Sequence, residues 1–459
     1  MMHGKFPLKL GAALAFGALC VAPLAQAAET EQFIPIPLYR VGPYAAGGTG
    51  QGGGLEDYFE LINRRDGGVN GVKIAFEECE TQYEVERGVE CYERFRSRAS
   101  TFDPFSVGIA YAVIDRATED KIPVITPNHG RTDSTDGAVF PYVFPVILNP
   151  WSEASAIINY LGQKSGGLDK LEGKKIVVLY HGSPYGKETI PIFDLLAKKY
   201  RFAVAEIEVP HPGSEQQAQW LEIRRARPDF VVLRGWGVMN PVALKTAQKV
   251  GFPADHIIGN VWSNSEEDAI PAGSAAKGYI SATTHPSGRQ FPLVQEVLRV
   301  VYGGGHGHMD DPNRVGTTYY NLGLLDGLLH VEAIRVAQTR FGHRVLTGEE
   351  MQWGYEHIDI DDKRMAELGV TGLMQPIKLT CADHEGGGAV KFQQWDGRKW
   401  NVISDWVQAD RALLRPLIEQ SANTYAREHH IKVRDCAQEQ AVADQPQTKL
   451  ATPGARYTR

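Results

Sequence analysis

The sequence predicts an α/β protein of two similar lobes, each a doubly wound parallel sheet with helices on its faces. The middle of the chain is the most informative part, because short apolar runs rich in β-branched residues alternate there with helical stretches. The apolar runs lie at 176–180, 203–209, 230–233 and 256–259, and the helical stretches lie near 187–200, 216–226 and 241–250. Successive strands start about every 27 residues, the length of one βα unit. Such alternation is typical of a parallel sheet covered by helices.

The N-terminal part repeats this plan. A strand is predicted near 34–40, followed by a helix at 55–65 in which Leu55, Phe59 and Ile62 form one apolar stripe. Further strands are predicted near 72–78, 106–110 and 122–126. The first lobe is therefore expected to resemble the second in its construction.

The last third of the chain adds a long helix and a hairpin. Apolar residues recur at helical spacing near 317–338. Two strands, near 389–395 and 399–404, flank Asp396-Gly397, a dipeptide that favours a tight hairpin turn. Residues 437–459 are rich in Gln, Ala and Thr without apolar periodicity, so they are predicted to form a disordered tail.

The first 27 residues have the pattern of a secretory signal peptide. Lys5 and Lys9 precede an apolar run at 10–24, and Ala25-Gln26-Ala27 supplies a small-residue cleavage pattern. The run is shorter than the roughly 20 residues that span a bilayer. An uncleaved anchor and a lipid-modified Cys20 are alternatives, although the residues before Cys20 match a lipoprotein signal poorly. The pattern favours an exported, soluble protein located in the periplasm.

The overall composition is that of a globular protein. Apolar residues make up 43% of the chain and charged residues 22%. Lys and Arg number 48 against 55 Asp and Glu, giving a net charge of −7, and no basic run occurs. This balance argues against a nucleic-acid-binding protein, which needs a large basic surface.

Four cysteines remain after the predicted cleavage: Cys79, Cys91, Cys381 and Cys436. An even number in an oxidising compartment indicates disulfides, and four cysteines allow three connectivities. Pairing of neighbours in sequence, Cys79 with Cys91 and Cys381 with Cys436, is the simplest of the three. A metal site is disfavoured because the sequence has no CxxC pair and no His at ligand spacing from a Cys.

Ligands of open α/β sheets bind beyond the carboxyl ends of the strands, so the loops at those ends hold the candidate binding residues. They carry aromatic rings, amides, hydroxyls and an Arg, which suit a small ligand with a polar head and a flat or apolar body. The candidates are Tyr44, Ser106, Tyr111, Asn128, His129, Gly130 and Arg131 in the first lobe, and Tyr185, Trp236 and Trp262 in the second. The alternative is that the aromatic residues belong only to the core.

Two patterns suggest enzymes instead. Gly48, Gly50 and Gly53 fit the dinucleotide pattern GxGxxG, but the surrounding run is so rich in Gly that the match is nearly automatic. His306 and His308, beside two aspartates, would suit a metal ion, with a solvated Gly-rich loop as the alternative. No GxSxG, HExxH, Walker A or EF-hand pattern occurs in the sequence. The sequence thus favours a binding protein without cofactor, metal or catalytic residues.

Several short motifs resemble the type I periplasmic solute-binding proteins of ABC transporters, in the branched-chain amino-acid (Leu/Ile/Val-binding) group. The most specific are Asn63-x-x-x-Gly67-Gly68-Val69-Asn70-Gly71 and the Tyr185-Gly186 pair after the first strand of the second lobe. Others are Gly42-Pro43, Ile122-Pro123-Val124-Ile125, Gly173-Lys174-Lys175-Ile176, Arg227-Pro228-Asp229, Gly251-Phe252, Asp383-His384 and Asp396-Gly397. The resemblance covers roughly residues 33–410.

The resemblance implies two lobes joined by a multi-crossing hinge that close on a ligand. Lobe 1 would comprise residues 28–148 and 281–375, and lobe 2 residues 149–280 and 376–436. A protein of this kind works as a monomer, binds a small molecule and delivers it to an inner-membrane ABC permease. An exported ligand sensor of the same fold and, less favoured, a NAD-dependent enzyme are the alternatives to transport.

By the same resemblance, Ser106 and the loop at 126–130 bind a ligand carboxylate, and Tyr185 contacts the ligand. The sequence departs from the family at 260–262, where no acidic residue is present to pair an α-ammonium group. A buried ammonium without a carboxylate is costly. An aromatic or other small organic acid is therefore the expected ligand, with a hydrophobic or branched-chain amino acid as the alternative.

Overall fold

The computed structural model describes residues 30–443, so the predicted signal peptide and residues 444–459 of the predicted tail lie outside the described residues. The strands of the described part are β1 (Glu31–Ile36), β2 (Lys73–Glu78), β3 (Val124–Ile125), β4 (Val143–Phe144), β5 (Lys175–His181), β6 (Ala203–Val209), β7 (Phe230–Arg234), β8 (Ile257–Gly259), β9 (Ile280–Thr283), β10 (Asp359–Ile360), β11 (Ile377–Lys378), β12 (Ala389–Trp395), β13 (Trp400–Val402) and β14 (Val407–Gln408). The α-helices are α1 (Ala45–Arg65), α2 (Val85–Phe95), α3 (Val107–Asp120), α4 (Pro150–Ser165), α5 (Pro184–Lys187), α6 (Ile190–Tyr200), α7 (Gln217–Ala226), α8 (Met239–Val250), α9 (Glu266–Ala272), α10 (Pro292–Val297), α11 (Thr318–Phe341), α12 (Gly348–Tyr355), α13 (Asp362–Leu368), α14 (Arg411–Glu428) and α15 (Cys436–Ala443).

The second lobe is built on a sheet that has eight strands within the described residues. Its order is β13-β12-β9-β8-β7-β5-β6, with β14 beside β12. Strands β6, β5, β7, β8 and β9 are parallel, whereas β12 runs antiparallel to β9. Because β5, β7 and β8 are parallel neighbours, the loops that follow them meet at one edge of the sheet.

Both faces of this sheet are covered by helices, as the alternation in sequence predicts. Ile176 and Val178 of β5 pack in one apolar cluster with residues of α4 and α6. Val177 and Leu179 of the same strand pack in a second cluster with residues of α7 and α8. Successive side chains of a strand point to opposite faces, so a strand buried on both sides is apolar at every position.

The first lobe contains shorter parallel ladders. β1 pairs with β2, and β3 pairs with β4, both in parallel. The glycine run after β1 lies inside α1, which begins at Ala45 and not near residue 55 as predicted. These glycines let α1 approach α11 closely, since a Cβ at Gly54 would lie 2.1 Å from the Tyr320 carbonyl oxygen. The run is therefore a helix-packing surface and does not form the phosphate-binding turn of a dinucleotide site.

The strand predicted at 106–110 is wrong, and the first residues of the predicted tail lie in a helix. The strand expected at 106–110 is the first part of helix α3, because the Ser106 side chain accepts a hydrogen bond from Ile109 N and caps the helix. The apolar residues of α3 continue at helical spacing beyond the predicted strand. The tail expected from residue 437 begins with helix α15, where the Asp435 side chain accepts from Gln438 N and Arg434 pairs with Glu439.

Two disulfides are formed, Cys79–Cys91 and Cys381–Cys436, as local pairing predicts. They close loops with sequence separations of 12 and 55 residues. In the chain-entropy model, a disulfide stabilises the folded protein by about 3 kcal/mol for the shorter loop and by about 4 kcal/mol for the longer one. Replacing Cys381 and Cys436 with Ser is thus expected to lower the free energy of unfolding more than replacing Cys79 and Cys91. Urea denaturation of both double variants tests this order, and the reverse order would contradict it.

Within residues 30–443, no helix is both long and apolar enough to span a membrane. The same residues contain no group of three or more His, Cys, Asp or Glu side chains arranged to hold a metal ion. His308, which the sequence raised as a metal ligand, instead has its Nδ1 2.9 Å from a carboxylate oxygen of the buried Asp57.

Candidate functional site

A cavity lies where the loops after β5, β7 and β8 meet loops of the first lobe. In this structure the cavity volume is about 10 Å³, the space of about one water molecule, so the lobes must move apart to admit a ligand. The residues that line it are Tyr39, Tyr83, Phe105, Ser106, Val107, His129, Tyr185, Trp236 and Trp262. They come from both lobes, so the site is formed only when the lobes are together.

Two tryptophans form the apolar walls of this cavity. The rings of Trp236 and Trp262 meet edge to face, with centroids 5.1 Å apart and an interplanar angle of 85°. Trp236 also meets Tyr39 edge to face at 6.2 Å. The two tryptophan residues are only 3% and 5% exposed. Trp262 is fixed across the cleft, since its Nε1 donates to the Asn128 carbonyl oxygen at 2.8 Å.

The cavity also exposes a few polar groups to a ligand. Ser106 lies at the N-terminus of α3, a 14-residue helix whose first backbone N–H groups favour an anion. His129 has its Nδ1 2.8 Å from the Pro127 carbonyl oxygen, and its ring meets Trp262 edge to face at 5.5 Å. Neither His129 Nε2 nor Trp236 Nε1 has a hydrogen-bond partner among the described residues, although both atoms are buried.

A buried ion pair contacts residues of the cavity wall and of the loop before Trp262. The Arg234 guanidinium pairs with Glu153, and each side chain is 2% exposed. The guanidinium also lies over the Tyr185 ring at 4.2 Å from its centroid. Glu153 in turn accepts from the backbone N–H of Val261 at 2.7 Å. Tyr185 and the loop before Trp262 are therefore positioned by the same pair of charges.

Of the ten predicted binding residues, the structure brings five together in the cavity wall: Ser106, His129, Tyr185, Trp236 and Trp262. Tyr44 lies behind Trp236, with its ring parallel at 6.4 Å and its hydroxyl 2.8 Å from His181 Nε2. Asn128 contributes its carbonyl to Trp262, while Gly130, at φ +95°, turns the chain directly after His129. These three residues position the wall and do not line the cavity.

Tyr111 and Arg131 lie elsewhere, in a second and more open cleft of about 470 Å³. Arg131 is paired with Asp133, at 2.6 Å between Nε and Oδ1, and its guanidinium lies 4.1 Å from the centroid of the Tyr425 ring. Tyr111 donates to the Glu188 carboxylate, which also accepts from Thr132 N at 2.9 Å. Glu188 belongs to the predicted second lobe and both donors to the first, so this carboxylate joins the two lobes.

Removing the Tyr111 hydroxyl is expected to favour the open form. Hydrogen bonds to charged groups contribute about 1.5–3 kcal/mol, and this one exists only while the lobes are together. The Tyr111→Phe variant should therefore show a larger radius of gyration in small-angle X-ray scattering without ligand. Tyr180→Phe is the matched control, because the Tyr180 hydroxyl donates to Glu208 within the second lobe at 3.1 Å. Equal scattering of both variants and the wild type would contradict the role of Glu188.

The sequence does not predict four of the lining residues, which are Tyr39, Tyr83, Phe105 and Val107. Tyr39 follows β1 by three positions and Tyr83 follows β2 by five. Tyr39 lies inside the strand that the sequence predicts at 34–40, so the strand-end rule does not select it, whereas Tyr83 lies beyond the strand predicted at 72–78. Phe105 and Val107 flank Ser106, the residue of this segment that the sequence predicts to bind the ligand, and carry no separate signal.

No carboxylate lines the cavity among the described residues. The acidic residues that follow β8 are engaged in other contacts. Asp268 accepts from Tyr319 at 2.7 Å and from Asn240 at 3.0 Å, and burial raises its pKa to about 7. Glu267 is paired with Arg314 at 2.9 Å, and Glu266 accepts from Thr318 N at 3.0 Å. In the described part of the chain, the cavity wall therefore has no acidic side chain to pair an α-ammonium group, as the sequence at 260–262 indicates.

The charge state of His129 is set by its burial. Burial lowers the pKa of His129 from 6.5 to about 4, so the ring is neutral at pH 7. Its resonances in long-range ¹H–¹⁵N NMR spectra are expected to show the Nδ1–H tautomer and no titration between pH 7.5 and 5.5. The His129 resonances are identified as those that disappear from the spectrum of the His129→Phe variant. A titration midpoint near 6.5 would contradict the burial of this ring.

Comparison with known proteins places this chain in a family. A family model described as periplasmic binding protein matches residues 31–399. A search of curated protein sequences gives no match. A solved structure described as an ABC transporter permease from the Pseudomonas fluorescens group is 50% identical, with a TM-score of 0.84 over 89% of this chain and 99% of that one.

More distant structures share the fold. A branched-chain amino acid ABC transporter protein from Thermus thermophilus with bound valine has 20% identity and a TM-score of 0.72, covering 84% of this chain and 99% of that one. A solute-binding protein from R. palustris in complex with benzoate has 19% identity and a TM-score of 0.66, covering 83% and 97%. With a family model that spans most of its length, the chain belongs to the periplasmic binding proteins.

Proposed function

We propose that this protein is the solute-binding component of an ABC importer and that it captures a small carboxylic acid with an aromatic or other apolar body. The observation that carries the proposal is the cavity between the lobes, whose wall is rich in aromatic rings and contains no charged side chain among the described residues. Such walls bind flat or apolar groups. The structural neighbour that holds benzoate agrees with this ligand class.

The carboxylate of the ligand is proposed to bind at the start of α3. The backbone N–H groups of the first helical turn have no partner within the helix, and the helix dipole favours negative charge there. The Ser106 hydroxyl lies at the same end of the helix and lines the cavity. An anion is thus stabilised without an opposite charge in the wall.

An amino acid fits this wall less well. Its α-ammonium group would need a carboxylate, and the oxygens of Asp268 already accept from Tyr319 and Asn240. Burial of an unpaired ammonium costs several kcal/mol. The absence of an acidic lining residue in the described part of the chain therefore favours acids over amino acids.

The proposal extends to the working cycle. The mature chain would act in the periplasm as a monomer, without catalysis, and its closed form would dock on an inner-membrane permease. Lobe closure removes the ligand from water, and the contacts across the cleft, such as Trp262 to Asn128, form at that moment. Micromolar affinity, about −8 kcal/mol, is expected of such a trap.

A thermal-shift screen of the mature protein tests the ligand class. The panel contains aromatic acids, aliphatic acids, amides and amino acids, with NAD and zinc as controls. A ligand at a hundredfold excess over its Kd adds about 2.7 kcal/mol to the stability of the native state. A rise of the midpoint with aromatic or small acids is the expected result. A midpoint that rises only with Leu, Ile or Val would show that the ligand is a branched-chain amino acid and not an acid of the proposed class. A midpoint that rises only with NAD or zinc would overturn the transport function.

A further inference from the structure

The hydrogen bond of His129 Nδ1 fixes which nitrogen carries the proton. Nδ1 lies 2.8 Å from the Pro127 carbonyl oxygen, which can only accept a hydrogen bond. In the neutral ring, Nδ1 therefore carries the hydrogen and Nε2 presents a lone pair. The Trp262 edge, at 5.5 Å between ring centroids, holds the ring in this orientation.

This lone pair belongs to a side chain of the cavity wall. His129 lines the cavity, and its Nε2 is buried without a partner among residues 30–443. A buried acceptor without a partner is costly, so such atoms in native proteins are satisfied by water or by a ligand. Trp236 Nε1, also buried and without a partner, is a donor only. Among the lining residues, Trp236 Nε1 and His129 Nε2 are thus a donor and an acceptor that are buried without a partner in the described part of the chain.

Resting on the proposed function, we infer that the captured acid also carries a hydroxyl group, and that this hydroxyl donates its hydrogen to His129 Nε2. A carboxylate cannot make this bond, because an ionised carboxylate only accepts. An ammonium group can donate, but it would be buried without a counter-charge in this wall. A neutral hydroxyl satisfies the acceptor without that cost.

The inference predicts selectivity among closely similar acids. A site that is built to bond a substrate hydroxyl disfavours an analogue without it, because a buried polar group is left unpaired. We expect the correctly placed hydroxyl to tighten binding about 10- to 100-fold over the parent acid. A methyl ether at the same position should lose this gain, since it keeps the oxygen but has no hydrogen to donate.

Isothermal titration calorimetry of the mature protein tests this with benzoate, its three monohydroxy isomers and the corresponding methoxybenzoates. One hydroxy isomer is expected to bind at least tenfold more tightly than both benzoate and its own methyl ether. In His129→Phe, which keeps a ring against Trp262, the ratio of the affinities for the hydroxy acid and for benzoate should fall to about one. Ser106→Ala is the control, because it should weaken all the acids by a similar factor and leave the preference unchanged.

The outcomes separate the inference from the proposed function. If no acid of the panel binds, the proposed ligand class fails, and the inference fails with it. If benzoate and the hydroxybenzoates bind equally to the wild type, acid capture stands and the hydroxyl assignment is overturned. A preference that persists in His129→Phe also overturns the role of His129. If His129→Phe does not fold, two measurements on the wild type replace it: the ratios of the affinities for the acids, and the ¹⁵N chemical shift of His129 Nε2 on addition of the tightest hydroxy acid. An unchanged ¹⁵N shift would contradict the hydrogen bond.

Discussion

Replacing Trp236 with alanine is expected to weaken ligand binding by about two orders of magnitude. Trp236 meets Trp262 and Tyr39 edge to face in the cavity wall, and buried tryptophans at the centre of a binding surface typically contribute 2–4 kcal/mol. Trp262→Ala should act similarly and also removes the bond to the Asn128 carbonyl. Calorimetric titration with the tightest acid of the panel measures both effects.

The control for this prediction is a tryptophan outside the cavity. Trp406 is partly exposed and packs under the Lys391 ammonium, 5.0 Å from its ring centroid. Trp406→Ala should leave the affinity unchanged. Circular dichroism of all three variants verifies that they fold. Unchanged affinity in both Trp236→Ala and Trp262→Ala would remove the assignment of this cavity as the binding site.

The second large effect is expected at the buried ion pair. Arg234→Met leaves the Glu153 carboxylate without its partner at a position where both side chains are 2% exposed. Removing one member of a buried pair typically costs 3–5 kcal/mol, because the remaining charge is not compensated. Urea denaturation of Arg234→Met should therefore show a loss of that size in the free energy of unfolding.

Two further variants isolate the cause of that loss. Arg201→Met removes an exposed pair with Glu172, whose side chains are 71% and 55% exposed, and should cost at most about 1 kcal/mol. The double variant Arg234→Met/Glu153→Leu removes both buried charges and should recover much of the stability. A loss in Arg234→Met no larger than in Arg201→Met would contradict the structural role of this pair.

The sequence predicts the second lobe well, because its strands are buried on both faces and therefore stand out as continuous apolar runs. The runs at 176–180 and 230–233 coincide with β5 and β7 to within a residue or two. The family resemblance is confirmed by the match over residues 31–399. Strand spacing and short motifs are local signals, and they suffice for fold and family.

The errors have a physical origin in context that local sequence does not contain. The segment at 106–110 is too short to distinguish a strand from a helix by apolar content, and the Ser106 cap decides in favour of a helix. The sequence predicts the first helix only from residue 55, yet contact with α11 stabilises the preceding glycine run as part of α1. In both cases tertiary contacts override weak local preference.

The candidate site shows the same limit. Neighbours in sequence need not face the same space: His129 lines the cavity, whereas Arg131, two residues later, pairs with Asp133 in the other cleft. The strand-end rule finds the loops that meet, but side-chain direction depends on φ and ψ at each position. Asn128 and Gly130 both have positive φ, so the chain turns sharply around His129. Such a turn is set by the packed structure.

The most direct test of the account is a crystal structure of the mature protein with the acid that gives the largest thermal shift. The acid is expected to lie against the rings of Trp236 and Trp262, with its carboxylate at Ser106 and the start of α3. A ligand bound in the cleft beside Arg131 and Glu188, or an ammonium ligand paired with Asp268, would contradict it.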